Sequence, residues 1–230
     1  MSAAPGRSQA SSHRSPQGEG TLSTAAPGRS QASSHRSPQG EGVAEPCAGT
    51  QRAADGACDV VCFWRAAHAD WFSHDAAFDH RFRERFLGHH LAAVRHEYDD
   101  WADTPEGALA LLILLDQFPH NAFRGTKRMF ATDTVARQIA LNALSAGHMD
   151  AVDADLRLFF CLPFSHSEHA DDQDLSVALN VRLGQPWLAH ALGHRDIIRR
   201  FGRFPHRNPI LGRVTTSEEQ AFLDQGGFAG

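Results

Sequence analysis

Several motifs that identify well-known classes of catalyst are absent from this 230-residue chain. It contains no glycine-rich phosphate loop, no dinucleotide-binding fingerprint, no G-x-S-x-G and no H-E-x-x-H. The sequence therefore gives no support for a P-loop or Rossmann nucleotide site, a serine hydrolase or a zincin-type metalloprotease, and no cofactor or metal is expected from its motifs.

Cysteine is scarce and is not spaced for zinc or for a disulfide framework. The four cysteines, Cys47, Cys58, Cys62 and Cys161, form no C-x-x-C pair. Cys58 and Cys62 lie one helical turn apart and are expected to be small apolar fillers. Apolar neighbours should raise the pKa of the Cys161 thiol and leave it inert. Without disulfides or a secretory signal, a reducing, cytoplasmic location is expected.

Long apolar runs and an excess of basic charge are also missing. The most apolar stretch, 108–115, belongs to a predicted helix of roughly 14 residues, about 21 Å long, which is short of a bilayer core of about 30 Å. It is predicted to be a buried central helix, with no membrane as a partner. The formal net charge is −5, so general binding of nucleic acid is not expected.

The N-terminal quarter of the chain has a composition that does not support a core. Residues 3–20 recur letter for letter at 25–42, which is a duplicated 18-residue segment rich in Ser, Gly, Pro, Gln and Arg. Such residues bury too little apolar surface to offset chain entropy. We therefore predict a disordered low-complexity tail over 1–55, or an upstream extension from a misplaced start codon, with a functional tail as the minor alternative. Residues 56–230 are predicted to form a single all-α domain.

Helical periodicity extends over nearly all of that domain. Phe78, Phe82 and Phe86 recur at every fourth residue, and Ser73 is the predicted N-cap of their helix. No segment alternates with a period of two residues, and no hairpin turn separates apolar runs. The prediction is an all-α fold of about eight antiparallel helices.

Capping and breaking residues divide the domain into helices. Thr104 should cap the central helix, and the Phe118–Pro119 step should end it. Asp116 would then lie at the negative end of the helix dipole, where it needs a cation, and Arg124 is the nearest one. Pro163 is expected to end the next-but-one helix, and a new helix is expected from Ser165.

Near the C-terminus, Thr216 and Glu219 have the spacing of a capping box.

An arginine-rich segment, Arg195–Arg213, is the main local exception to the acidic charge. It holds six arginines and one acid, and glycines and prolines interrupt it. Lys127 is the only lysine, so arginine is the general basic residue of this chain. The number of arginines is therefore less informative than their clustering. Guanidinium groups that a rigid loop holds close together can bind carboxylates or phosphates. The alternative is that these arginines are structural ties to Asp116, Glu168 and Asp172.

Five motifs together resemble the bacterial family called domain of unknown function 924. They are L-L-D-Q-F-P-H-N-A-F-R-G-T (114–126), F-A-T-D (130–133), L-P-F-S-H-S-E (162–168), D-Q (172–173) and R-F-G-R-F-P-H-R-N-P-I-L-G-R (200–213). The resemblance implies an all-α, tetratricopeptide-like helical bundle and implies no activity. One departure is His120, at a position where the family more often has Arg.

The leading functional hypothesis is a pocket for a small anionic molecule, with acid–base catalysis. Arg203 and Arg207 would clamp the anion, His166 or His206 would move a proton, and Glu168 would orient the histidine. The remaining candidate ligand-binding residues are Asp116, Arg124 and Asn208.

Besides purely structural motifs with no site, two alternatives remain open. The histidines could form a metal site, since His190 and His194 are four residues apart; the set considered is His166, Glu168, His169, His194 and His206. Alternatively, the domain could be a tetratricopeptide-like module that binds a peptide or protein in an open groove, with motif residues spread along it. The absence of a 34-residue period counts against that module.

Overall fold

The computed structural model describes residues 48–228, with side chains from Gly56 onward. The predicted tail at 1–55 lies largely outside the described residues, and the first described helix begins at Ala48. Between residues 48 and 228 the chain is helical and contains no strand, which confirms the all-α prediction. In the same range, no helix combines the length and apolar character needed to cross a membrane.

The helices follow one another with short connections. They are α1 (Ala48–Ala66), α2 (Ala76–Val94), α3 (Pro105–Leu112), α4 (Phe118–Ala122), α5 (Asp133–Ser145), α6 (His148–Ala151), α7 (Leu158–Ser165), α8 (Ala170–Leu183), α9 (Trp187–Phe201), α10 (Asn208–Leu211) and α11 (Ser217–Asp224). The number exceeds the eight predicted because short helical turns such as α6 and α10 connect the longer helices.

The central element of the fold is formed by α3, a π-helical segment at Ile113–Gln117, and α4. Every residue from Gly107 to Pro119 is buried, as the apolar run predicted. The Thr104 hydroxyl accepts a hydrogen bond from the Gly107 N–H at 3.1 Å, which confirms the predicted N-cap. Helices α1, α2, α5 and α7 pack around this element, which therefore forms the axis of the core.

The helix does not end at the Phe118–Pro119 step, contrary to the prediction. Pro119 has no N–H to donate to the preceding turn, and this normally breaks a helix. Two side chains donate to the carbonyl groups of that turn instead. The His90 imidazole Nδ1 lies 2.9 Å from the Leu114 oxygen, and the Thr132 hydroxyl donates to the Leu115 oxygen at 2.5 Å. The helical path therefore continues to Ala122.

The aromatic residues of α2 pack against this central element. Phe78, Phe82 and Phe86 are almost fully buried, which confirms the spacing inferred from the sequence. The Phe82 ring lies 5.2 Å from the Trp64 ring and 5.2 Å from the Phe118 ring, measured between centroids. Burial of each large aromatic side chain contributes about 2–3 kcal/mol to folding.

Some local predictions were wrong. The N-cap of α2 is Asp75, whose carboxylate accepts from the Ala77 N–H at 2.8 Å, whereas the Ser73 hydroxyl donates to the Asp70 carbonyl. Pro163 lies inside α7 and does not end it. Helix α8 begins at Ala170 and not near Ser165.

The prediction for the first cysteine pair was also wrong, since Cys58 and Cys62 are exposed and are not apolar fillers.

The capping box before α11 is confirmed, and it is part of a larger set of contacts. The Thr216 hydroxyl accepts from the Glu219 N–H, and the Glu219 carboxylate accepts from the Thr216 N–H. Arg203 donates to both oxygens of the same carboxylate at 2.6 and 2.9 Å. These hydrogen bonds, with that of Arg203 the largest cause, lower the pKa of Glu219 to about 2. The carboxylate therefore joins the arginine-rich segment to the last helix.

Glycine 107 offers a direct test of the central packing. A Cβ at Gly107 would collide with the backbone carbonyl oxygen of Trp101, whereas a Cβ at Gly88 in α2 would meet no atom within 4 Å. We expect Gly107→Ala to lower the free energy of unfolding by about 1–3 kcal/mol through overpacking. Gly88→Ala should raise it by about 0.5–1 kcal/mol because alanine has the higher helix propensity. Urea denaturation measures both, and equal effects would contradict the packing described.

Candidate functional site

A buried carboxylate–imidazole pair lies where the π-helical segment meets α7. The Asp116 side chain is 1% exposed, and its Oδ1 lies 2.7 Å from His166 Nδ1. Its Oδ2 accepts from Gln117 Nε2 at 2.6 Å. Because Nδ1 faces a carboxylate, it carries the proton, and Nε2 is the nitrogen left for exchange in the neutral ring. No described residue bonds this Nε2.

The two groups stabilise each other's charged forms. Burial alone raises the pKa of the Asp116 carboxyl, but the charge and hydrogen bond of His166 outweigh burial and leave this pKa lowered. Burial alone lowers the pKa of His166, and the charge and hydrogen bond of Asp116 leave it raised above its usual value. The carboxylate–imidazolium form therefore persists over a wider pH range than it would for either group alone.

A second histidine is stacked on the first. The ring centroids of His120 and His166 are 4.5 Å apart and their planes differ by 16°. His120 Nε2 lies 3.1 Å from Asp133 Oδ1, and Arg207 Nη1 lies 3.8 Å from the other oxygen of this carboxylate. Two aspartates thus hold two parallel imidazole rings, one from the central helix and one from α7.

Two adjoining cavities open beside these rings, with volumes of about 480 Å³ and about 300 Å³. They share the lining residues His74, His120, Arg124, Ser165, His166, His194 and Phe228. The larger cavity continues between apolar side chains of Trp71, Phe72, Leu158, Leu162 and Trp187. The smaller cavity ends at His206 and Arg207. Both cavities therefore have apolar walls, Arg207 adds a buried cation to the smaller one, and His166 lines both.

Two further histidines in the lining differ from His166 in charge. Burial lowers the pKa of His194 to about 3, with the charges of His166 and His190 acting in the same direction. Burial, with the charge of Arg207 acting in the same direction, lowers the pKa of His206 to about 4. Both rings are neutral near pH 7, and the Nδ1 atom of each is buried with no hydrogen-bond partner among the described residues.

Arg207 is the buried cation of the smaller cavity. Its guanidinium carbon lies 4.5 Å from the centroid of the Phe130 ring and 4.7 Å from that of Phe204. Burial lowers its pKa, and the charge of Asp133 acts in the opposite direction. Its Nε has no hydrogen-bond partner among the described residues. The side chain is therefore held between aromatic rings with donor capacity left over.

The structure brings several of the predicted site residues together. Arg124, His166, His206 and Arg207 all line the smaller cavity, and Asp116 lies directly behind His166. The expected pairing of Asp116 with Arg124 was wrong. Arg124 donates to Asp79 at 3.0 and 3.2 Å, and His166 supplies the compensating charge for Asp116.

Glu168, Arg203 and Asn208 lie away from the cavity lining. Glu168 accepts from both terminal nitrogens of Arg213 at 2.8 Å and from the Phe204 N–H at 2.9 Å. It does not orient His166, and Asp116 occupies that position. The guanidinium of Arg203 is engaged by Glu219.

Asn208 is fully buried, and its amide nitrogen lies 3.3 Å from Glu219 Oε2. These residues tie the C-terminal segments together.

The histidine set considered for a metal is only partly assembled. His166, His194 and His206 line the smaller cavity, whereas His169 is exposed. A different group, Asp116, His120 and His166, has potential ligand atoms within 4.8 Å of one another. Asp116 and His166 already share a hydrogen bond there, so a cation would have to displace that proton.

Sequence reasoning missed three contributors to the site. His120 and Asp133 both fall inside motifs quoted above, and their motif membership was the available signal. Asn180 on α8 lines the larger cavity, and its sequence context contains no pattern that marks it. Such a residue becomes visible only when α8 is packed against α7 and α9.

Comparison with known proteins identifies relatives but no activity. A family model described as bacterial protein of unknown function (DUF924) matches residues 60–227. A solved structure of a protein of unknown function from Agrobacterium tumefaciens is 53% identical, with a TM-score of 0.74, over 76% of this chain and 99% of that chain. No curated protein has a significant match.

The Asp116–His166 pair can be tested by titration. We expect Asp116→Asn to lower the pKa of His166, because the charge that offsets its burial is removed. Glu168→Gln should leave it unchanged, because Glu168 does not contact the ring. NMR titration of the His166 ring signals measures both variants. An equal decrease in both would contradict the assignment of Asp116 as the partner.

The same pair predicts a pH dependence of stability. The raised pKa of His166 stabilises the fold below the unfolded value of about 6.5, and this stabilisation is lost as pH rises through the folded value. The lowered pKa of Asp116 stabilises the fold above about 3.9, and this is lost as pH falls. Between these two pH values, Asp116→Asn should lower the free energy of unfolding by roughly 3 kcal/mol. Denaturation curves should show the difference from wild type shrinking above and below this window, and a constant difference would refute the ion pair.

Proposed function

The chain belongs to the bacterial DUF924 family of unknown function, as its motifs predicted, and we propose that it binds a small anionic molecule and exchanges a proton with it at Nε2 of His166. The observation that carries this proposal is the 2.7 Å contact between His166 and the buried Asp116 at the wall of a cavity. A carboxylate behind an imidazole fixes its tautomer and orientation, which is what a general acid or base requires.

The raised pKa of His166 sets the direction of the first proton transfer. Burial alone would lower this pKa, and Asp116 reverses that effect. The resting ring is therefore shifted toward imidazolium, which donates a proton first and accepts one afterwards. His194 and His206, with pKa values lowered to about 3 and about 4 chiefly by burial, are neutral hydrogen-bonding groups and not acids at neutral pH.

An anion is favoured by the charges at the end of the smaller cavity. Arg207 contributes a buried guanidinium whose Nε has no partner among the described residues, and its contact with Asp133 is long at 3.8 Å. An anion near Arg207 would also be attracted to the His166 imidazolium. The predicted clamp of two arginines is thereby reduced to Arg207, because Arg203 is bonded to Glu219.

The position of the motif residues supports a cavity over an open binding groove. Gln117 and Arg124 come from the first motif, His166 from the third, and Arg207 from the last, and all of them line one of the two adjoining cavities. An interaction module would spread its characteristic residues along an exposed surface. Convergence of distant segments on one cavity is typical of a small-molecule site.

The cysteine and serine near the cavity are not placed as nucleophiles, which favours proton transfer without a covalent intermediate. Burial raises the pKa of Cys161 to about 12, so its thiol is not a nucleophile at neutral pH, as the sequence predicted. The Ser165 hydroxyl lies 2.6 Å from the Ser176 hydroxyl and makes no hydrogen bond to a histidine among the described residues. The cavity therefore offers an acid–base group and a fixed cation.

Calorimetry with simple anions tests this proposal. We expect malonate and sulfate to bind the wild-type protein with proton uptake, measured above the folded pKa of His166 in buffers of different ionisation enthalpy, because an anion stabilises the His166 imidazolium. The proton uptake should disappear in His166→Gln. It should persist in the matched control His169→Gln, because His169 is exposed and outside both cavities. Absence of binding, or equal proton uptake in all three proteins, would refute the proposal.

A further inference from the structure

The larger cavity has side chains in its walls that the Arg207 end of the site lacks. Its walls include the side chains of Trp71, Phe72, Leu158, Leu162 and Trp187. Phe72 is 54% exposed, and its ring centroid lies 5.4 Å from that of Trp187, with the planes tilted by 52°. Aromatic side chains around an open cavity bind planar apolar groups through burial and ring–ring contact. The volume of about 480 Å³ is within the range of small-molecule sites.

One residue that lines this cavity, Asn180, has a buried acceptor atom without a hydrogen-bond partner among the described residues. Asn180 is 2% exposed, and its Nδ2 donates to the Ser176 carbonyl oxygen at 2.8 Å. This bond fixes the orientation of the amide, so that Oδ1 is the remaining acceptor. Oδ1 is buried and accepts from no described residue. Buried acceptors are rarely left without a donor, and Asn180 lines the larger cavity, so a ligand in this cavity is a candidate for that donor.

Asn180 is held rigidly relative to the proton-transfer group. Its Nδ2 also lies 3.4 Å from the Ser176 hydroxyl, and this hydroxyl lies 2.6 Å from the hydroxyl of Ser165. Ser165 immediately precedes His166 at the end of α7. Hydrogen bonds therefore join Asn180 on α8 to the residue that precedes His166, and they fix the acceptor relative to the end of α7.

From these contacts we infer that the ligand is an aromatic acid whose ring carries a hydroxyl or amino donor, with the ring packed against the Phe72–Trp187 pair, the donor on Asn180 Oδ1 and the acidic group toward Arg207. The inference rests on the proposed function for its anionic end. The aromatic end rests on separate residues, since Phe72, Asn180 and Trp187 line only the larger cavity. The two ends can consequently fail independently.

A set of matched probes tests the aromatic end. We expect 4-hydroxyphenylacetate to bind the wild-type protein at least about tenfold more tightly than 4-methoxyphenylacetate, because the methyl ether cannot donate to Asn180. In Asn180→Ala the ratio of the two dissociation constants should fall to about one. The control Asn142→Ala, at an exposed position of α5, should keep the wild-type ratio. A wild-type ratio near one overturns the inference without reference to any variant.

A second variant separates the ring from its donor. Trp187→Leu should weaken binding of both aryl acids by at least about tenfold and leave malonate binding unchanged, because malonate has no ring to pack against Trp187. If the aryl acids bind no more tightly than malonate, the inference fails and the proposed function stands. If the aryl acids bind as expected while proton uptake is absent in wild type, the proposed proton transfer fails and the aromatic site stands. If no probe binds at millimolar concentration, both are overturned.

Discussion

The ion pair between Asp116 and His166 is the interaction on which the rest of the site depends. A carboxylate as deeply buried as Asp116 costs several kcal/mol unless a charge and hydrogen bonds compensate for lost hydration. Here the imidazole from the end of α7 and the Gln117 amide supply that compensation. The pair therefore links the central helix to α7, and in the proposed function the same contact orients His166 for proton exchange.

The backbone around Asp116 explains why the charge can lie at this depth. The π-helical segment Ile113–Gln117 widens one turn, and insertions of this kind are frequent at functional sites. Side chains of His90 and Thr132 satisfy the carbonyl groups that the wide turn and Pro119 leave without donors. Polar contacts from two neighbouring elements thus support this part of the helix, which presents Asp116 toward α7.

The arginine-rich segment has mostly the structural role that was kept as an alternative. Arg203 pairs with Glu219, and Arg213 pairs with Glu168, so both join segments of the C-terminal third. Arg207 alone among the arginines of this segment is buried, lies between aromatic rings and lines the smaller cavity. Sequence analysis named Arg203 and Arg207 together and could not separate the two, because a run of arginines does not reveal which carboxylates will be opposite each one.

The sequence by itself determined the helical class, the buried central helix, the caps at Thr104 and Thr216, and the family, because local periodicity and capping depend on residues close in the chain. It also placed His166 and Arg207 among the functional candidates. Tertiary structure decided that Asp116 and not Glu168 holds His166, that Asn180 contributes a free acceptor, and that two cavities meet at one imidazole. These facts depend on how α3, α7 and α8 pack, and contacts across 50 residues of sequence leave no periodic signal from which they could be read.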